Sequence, residues 1–220
     1  MAFFQDTGPS REPFLNAPAS VLWLIGVILV AHVGRVLLPA TTADDILVTF
    51  AFIPADYSQI QTWATYLFLH GSYAHVGLNC LWLLAFGPPV ARRLGTFRFL
   101  AFYFFCGVAA AAAQLASDWG SSVPVIGASG AIAGLMGGAI RILYTERHRV
   151  FGAPLVSVFS RPVMFFTAIW LAINVVAGVS GLGLSEEGDL IAWVAHMGGY
   201  FAGLLTIGLF DRTAAPVGSA

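Results

Sequence analysis

The feature that most restricts this chain is the number and length of its apolar runs. A helix needs roughly 20 mainly apolar residues to cross a hydrocarbon core about 30 Å thick. Six segments of the 220-residue chain have that character or come close to it: 19–38, 66–90, 97–116, 129–144, 163–179 and 190–210. Six buried helices of a water-soluble protein would need a polar surface, and the chain lacks the charge for one. It is 58% hydrophobic and 10% charged, against about 25% charged in an ordinary soluble domain. The expected fold is therefore an all-α polytopic membrane protein, a bundle of six transmembrane helices over residues 19–211. A short N-terminal tail (1–18) and a short C-terminal tail (212–220) flank it. Pro39, Pro124 and Pro162 sit at or near span ends, where proline punctuates. No soluble domain, long linker or repeat is visible. The first twenty residues lack a basic start followed by an apolar stretch, so they do not read as a signal peptide.

The connections carry the topology. Arg92, Arg93 and Arg98 lie between spans 2 and 3, and Arg141, Arg147, Arg149 and Arg161 lie around the link from span 4 to span 5. Arg11 precedes span 1 and Arg212 follows span 6. The other three connections carry Asp44, Asp45, Asp56, Asp118, Glu186, Glu187 and Asp189, with Arg35 as their basic neighbour. Arginine excess marks the cytoplasmic side. Both termini are thus expected in the cytoplasm, which an even number of spans satisfies. The longest connection, 39–65, falls outside and is partly apolar, which suits packing at the membrane interface. A formal net charge of −1 gives no argument for a nucleic-acid partner. Cys80 and Cys106 both lie in apolar runs and read as small buried hydrophobes.

Polar side chains within membrane spans are costly, so each is a functional hypothesis by default. Span 2 contains His70, His75 and Asn79, span 4 opens with Gly127-Ala128-Ser129-Gly130, span 5 contains Asn174, and span 6 contains His196. At about 1.5 Å per residue, the segment from Ser129 to Tyr144 covers roughly 22 Å. That falls short of the core thickness and puts Ser129 about 8–10 Å below the outer face. His196, seven residues past Asp189, comes to a similar depth, roughly 10 Å. His75 and Asn79 are four residues apart and share a helix face. Gly130, Gly134 and Gly138 on span 4, and Ala195, Gly199 and Gly203 on span 6, form small-residue ridges of the kind that let membrane helices approach closely.

Serine is a weak nucleophile until a base takes its proton. His196, mostly neutral at pH 7 with an ordinary imidazole pKa, is the natural base. No carboxylate lies deep in any span, which argues for a Ser–His dyad rather than a triad. Ser129 opens a helix, where free backbone N–H groups and the positive dipole end favour an oxyanion. The amide of Asn79 and the ring of His75 are further candidate donors. His70, about 140° round a straight helix from His75, reads as closer to the outer surface and as structural or gating. His32 reads as structural with no partner in view, His148 as a solvated or headgroup contact, and Asn174 as a helix–helix hydrogen bond.

The segment from His70 to Asn79 resembles the His-rich second helix of rhomboid proteases. Gly127-Ala128-Ser129-Gly130 resembles their Gly-x-Ser-Gly motif, and Ala195 to Gly203 their sixth helix. Phe86-Gly87 and Leu94-Gly95 fit the turn after the second helix. The resemblance covers about residues 19–211 and implies a protease that cuts single-span membrane proteins near the outer membrane face. It implies Ser129 and His196 as the dyad, His75 and Asn79 as oxyanion stabilisers, Gly127 and Gly130 as supporting residues of the motif, and no cofactor. Substrate would reach the site laterally beside the fifth helix, with its Phe165, Phe166 and Trp170. A bacterial inner membrane location suits the compact form. Two positions depart from the pattern: Ala133 stands where some members stack an aromatic residue on the histidine, and Ala91 where an acidic residue often precedes the basic pair. Rival readings are a catalytically inactive relative that binds membrane helices, a transporter, and a haem protein. The intact Ser and His, the lack of internal symmetry and the Gly-x-Ser-Gly at a helix start argue against these in turn.

Overall fold

In the computed structural model, residues 17–146, 153–180 and 193–211 are described. They form eight α-helices: α1 (Ala19–Val36), α2 (Ala40–Phe50), α3 (Thr62–Thr65), α4 (Tyr73–Leu94), α5 (Thr96–Ser117), α6 (Ser129–Glu146), α7 (Arg161–Ser180) and α8 (Trp193–Phe210). Two single-turn 3-10 segments, Pro54–Asp56 and Tyr66–Phe68, lie in the connection before α4. Among the described residues the one extended pairing is an isolated bridge, Phe52 to Val125. Five helices, α1, α4, α5, α7 and α8, are long and apolar enough to cross a membrane, so the chain is a multi-pass membrane protein. Arg11, Arg147, His148, Arg149, Glu186, Glu187, Asp189 and Arg212 lie outside the described residues.

Several expected boundaries move. Span 2 does not begin as a helix at residue 66. Its first residues make the 3-10 turn, the chain extends through His70, and α4 starts only at Tyr73, where the Ser72 hydroxyl caps it by accepting from the His75 N–H at 3.1 Å. At the other end α4 runs past Pro88 and Pro89 to Leu94, although proline inside a helix normally breaks it. Burial of Pro88, Val90, Ala91 and Leu94 holds this stretch helical, and Gly95, at φ 74°, supplies the turn into α5. α6 reaches Glu146, two residues further than expected, for a length of about 27 Å. Shortness of α6 is therefore a weaker reason for a submerged Ser129 than the 22 Å estimate made it.

At the centre, α8 packs against α5 and α6, and α6 also against α4. The two glycine ridges meet. A Cβ on Gly199 would collide with the Gly130 carbonyl, and one on Gly203 with the Gly134 carbonyl. The backbones of α6 and α8 thus touch directly, as small residues permit. Tyr66, Tyr103, Phe99, Phe102, Leu83 and Ile207 fill the core around them, while Trp23, Val30, Trp82, Phe165 and Ile173 stay exposed on the outer faces, as lipid contact requires.

The bundle end opposite Ser129 is locked by arginines. Arg93 Nε and Nη2 both bond Asp211 Oδ2, at 3.0 and 2.8 Å, and Nη2 also donates to the Ala153 carbonyl at 2.7 Å. Arg141 donates to the carbonyls of Val156 and Leu204, both at 2.9 Å. These two arginines are structural clamps as well as contributors to the charge asymmetry. Ala91 is buried beside the basic pair, and Arg93 finds its acid in Asp211.

Candidate functional site

The loop before α6 is fastened at several points. Phe52 and Val125 exchange backbone hydrogen bonds at 3.1 and 2.8 Å, and the Ala55 N–H donates to the Ser121 carbonyl at 2.8 Å. Nearer the serine, the Gly127 N–H donates to the Tyr66 carbonyl at 2.9 Å and the Ala128 N–H to His70 Nε2 at 3.4 Å. Gly127 has φ 111°, and a Cβ there would lie 2.8 Å from His75 Nε2, so conformation and space both demand glycine. Gly127, Ala128 and Gly130 are buried and Ser129 is half-buried. Ser129 is thus embedded because the connection 51–70 covers its loop.

His70 is fully buried within the protein. Its carbonyl accepts from Arg35 Nη2 at 2.9 Å and lies 3.1 Å from His32 Nδ1, which gives His32 the partner that was missing from the sequence. His70 therefore links α1 to the loop before α6. Its ring lies edge-on to that of His75, centroids 4.9 Å apart. Among the described residues, no three His, Cys, Asp or Glu side chains gather in a metal-holding group.

Ser129 Oγ and His196 Nε2 are 2.7 Å apart, joining the first residue of α6 to a residue one turn into α8. The first hydrogen bond of α6 runs from the Ile132 N–H to the Ala128 carbonyl at 3.0 Å, so the N–H groups of Ser129, Gly130 and Ala131 have no acceptor within the helix. The ring of His75 borders the same space: the position a Cβ on Gly127 would occupy is 2.8 Å from His75 Nε2 and 3.9 Å from Ser129 Oγ. Asn79 is buried, and its Nδ2 donates to the His75 carbonyl at 2.9 Å. An amide carries two N–H groups, so one donor is left for a ligand.

The site residue that sequence reasoning undervalued is Asn174. Its Oδ1 lies 3.2 Å from His196 Nδ1, and its Nδ2 donates to the Trp170 carbonyl at 3.0 Å. Asn174 belongs to a stripe on α7 formed by Thr167, Trp170, Asn174 and Gly178. Thr167 Oγ1 meets Tyr200 Oη at 2.7 Å, Trp170 stacks on Tyr200 with centroids 4.1 Å apart, and Gly178 abuts Trp193. The spacing of three or four residues was the available signal, with Thr167, Asn174 and Gly178 polar or small in a helix otherwise rich in large apolar residues.

The comparisons with known proteins agree on one family. Residues 57–212 match the family model described as Rhomboid domain. The relatives include proteins named Rhomboid protease GlpG. That of Serratia proteamaculans is 32% identical over 172 residues, 74% of this chain and 53% of the relative. That of Pectobacterium atrosepticum is 29% identical over 181 residues, 81% and 59%, and that of Yersinia enterocolitica 32% over 186 residues, again 81% and 59%. The chain spans about half the length of the curated relatives it matches.

Proposed function

The chain belongs to the rhomboid family, and from that premise we propose that it is an intramembrane serine endopeptidase working through Ser129 and His196. The observation that carries this reading is the 2.7 Å contact between Ser129 Oγ and His196 Nε2 at the start of a helix. His196 Nε2 takes the hydroxyl proton as Oγ attacks the scissile carbonyl carbon. The resulting oxyanion meets the N–H groups that open α6, with the remaining N–H of Asn79 and the ring of His75 as further donors. Collapse breaks the C–N bond, and the imidazolium returns its proton to the leaving amine. Water, deprotonated by the same ring, then releases the acyl group from Ser129.

In this reading α6 joins the five long apolar helices as a sixth, shorter span, and the domain covers 19–211. Both termini face the cytoplasm of a bacterial inner membrane, on the arginine distribution. Substrates are single-span proteins cut near the outer face, reaching the site beside α7. That helix is the least enclosed: 6% of its 18-residue span is buried, against 28–44% in the other four spans.

The test is cleavage of a single-span substrate by purified wild type, Ser129→Ala and His196→Ala in liposomes, with fluorophosphonate labelling of the serine. Cleavage should vanish in both variants, and labelling in Ser129→Ala. Cleavage by either variant at the wild-type rate rejects the assignment.

A further inference from the structure

No aromatic residue from α6 stacks on His196, because Ala133 stands at that position and is itself buried with Val163, Tyr200 and Leu204. The ring is held instead from α7. The orientation of the Asn174 amide follows from its two contacts. Nδ2 faces the Trp170 carbonyl, and turning the amide over would set two acceptor oxygens against each other. Oδ1 therefore faces His196 Nδ1 as an acceptor, and Nδ1 carries the proton. A neutral imidazole protonated on Nδ1 keeps its lone pair on Nε2, the atom that lies 2.7 Å from Ser129 Oγ. Asn174 thus selects the tautomer a general base needs, the role the third residue plays in Cys–His–Asn and Ser–His–Asp arrangements.

We propose that Asn174 is the positioning residue of His196, so that the base is armed only while α7 is seated on α8. This rests on the reading of Ser129 and His196 as the catalytic pair. The seat is narrow. The α7 contacts to α8 run along one face that takes in Thr167, Trp170, Asn174 and Gly178, with Val163 and Phe166 packed near Tyr200 and Leu204 at its start, while Phe165, Ile169, Ile173 and Val176 are exposed. Moving α7 outward far enough to admit a substrate helix along this stripe would separate Oδ1 from Nδ1. Substrate access and base activation are then coupled through one side chain, and the base regains its tautomer preference when α7 closes.

The experiment measures kcat, KM and the pH dependence of kcat for Asn174→Ala, Asn174→Asp and Thr167→Val in liposomes. The Thr167 variant removes a neighbouring α7–α8 contact without touching the ring. Besides Asn174 of α7, the ring faces Ser129 of α6 and interacts with His75 of α4, and both stay intact in all three variants. Asn174→Ala should lower kcat about 10- to 100-fold, the worth of one hydrogen bond to a group that becomes charged, with KM within about threefold of wild type. Asn174→Asp should recover much of that loss. Its carboxylate favours the imidazolium, so the acid limb of kcat should move to higher pH. Thr167→Val should leave the pH profile in place. A wild-type kcat in Asn174→Ala overturns the proposal, as does an Asn174→Asp profile superimposable on wild type, and the second result decides if the alanine variant does not fold. Full activity in Asn174→Ala alongside inactive Ser129→Ala and His196→Ala rejects this proposal alone. Activity in Ser129→Ala rejects the underlying catalytic pair.

Discussion

Gly199→Ala tests whether the glycine ridges set the reacting distance. A Cβ built on Gly199 falls on the Gly130 carbonyl, 2.8 Å from its carbon and nearer still to its oxygen. Both partners are helix backbone, which cannot rotate aside as a side chain could. Restoring van der Waals separation needs α6 and α8 to part by about 1 Å next to the serine. The Ser129–His196 distance of 2.7 Å would then open to about 3.5 Å or more, too long for a hydrogen bond. Misplacement of that size costs on the order of 10²-fold in rate, and the overpacking itself about 1–3 kcal/mol of stability. Glycine to alanine in an unobstructed helix would instead stabilise it by about 1 kcal/mol, so the stability sign alone discriminates. Gly26→Ala on α1, where nothing lies within 4 Å of the added carbon, is the matched control. Cleavage rate in liposomes and thermal unfolding in detergent should show Gly199→Ala slower and less stable, and Gly26→Ala unchanged in rate. A Gly199→Ala protein that cuts at the wild-type rate and melts no lower would refute the reasoning.

Other consequences are as direct. Asn79→Ala should reduce kcat by about 10²–10³-fold, the usual cost of one oxyanion donor, while fluorophosphonate capture by Ser129 persists. An unchanged kcat would make Asn79 a helix-packing residue. Arg93→Ala should lower the unfolding temperature and cost about 3–5 kcal/mol, because it removes the guanidinium bonded to the buried Asp211 carboxylate. Adding Asp211→Ala should return part of that loss, and a double-mutant cycle with no coupling between the two would dismiss the clamp.

The spans α1, α5 and α7 were legible because apolar length is written locally, and their observed bounds differ from expectation by a few residues. The start of α4 was not, because the polar run His70-Gly71-Ser72 breaks the helix through a serine cap that apolar content does not register. Its end was missed because burial keeps Pro88 and Pro89 helical against their own preference. The contact of Gly130 and Gly134 with Gly199 and Gly203 could be anticipated from four-residue spacing alone. The partners of His32 and Arg93 could not. His32 meets a backbone carbonyl, and Arg93 meets Asp211, 118 positions away in the chain. Asn174 illustrates a subtler limit. Its helix-to-helix hydrogen bond was expected, but its partner ring was not, since nothing in the sequence tells which face of α7 turns toward α8.

The close seating of α8 against α5 and α6 also has a consequence for the order of synthesis. Ser129 and the segments that fasten its loop, around residues 52, 66 and 70, leave the ribosome well before His196. On the proposed catalytic pair, a chain arrested anywhere short of α8 carries a nucleophile without its base. In that reading reactivity waits for α8, and for its Gly199 and Gly203 to seat on the carbonyls of Gly130 and Gly134.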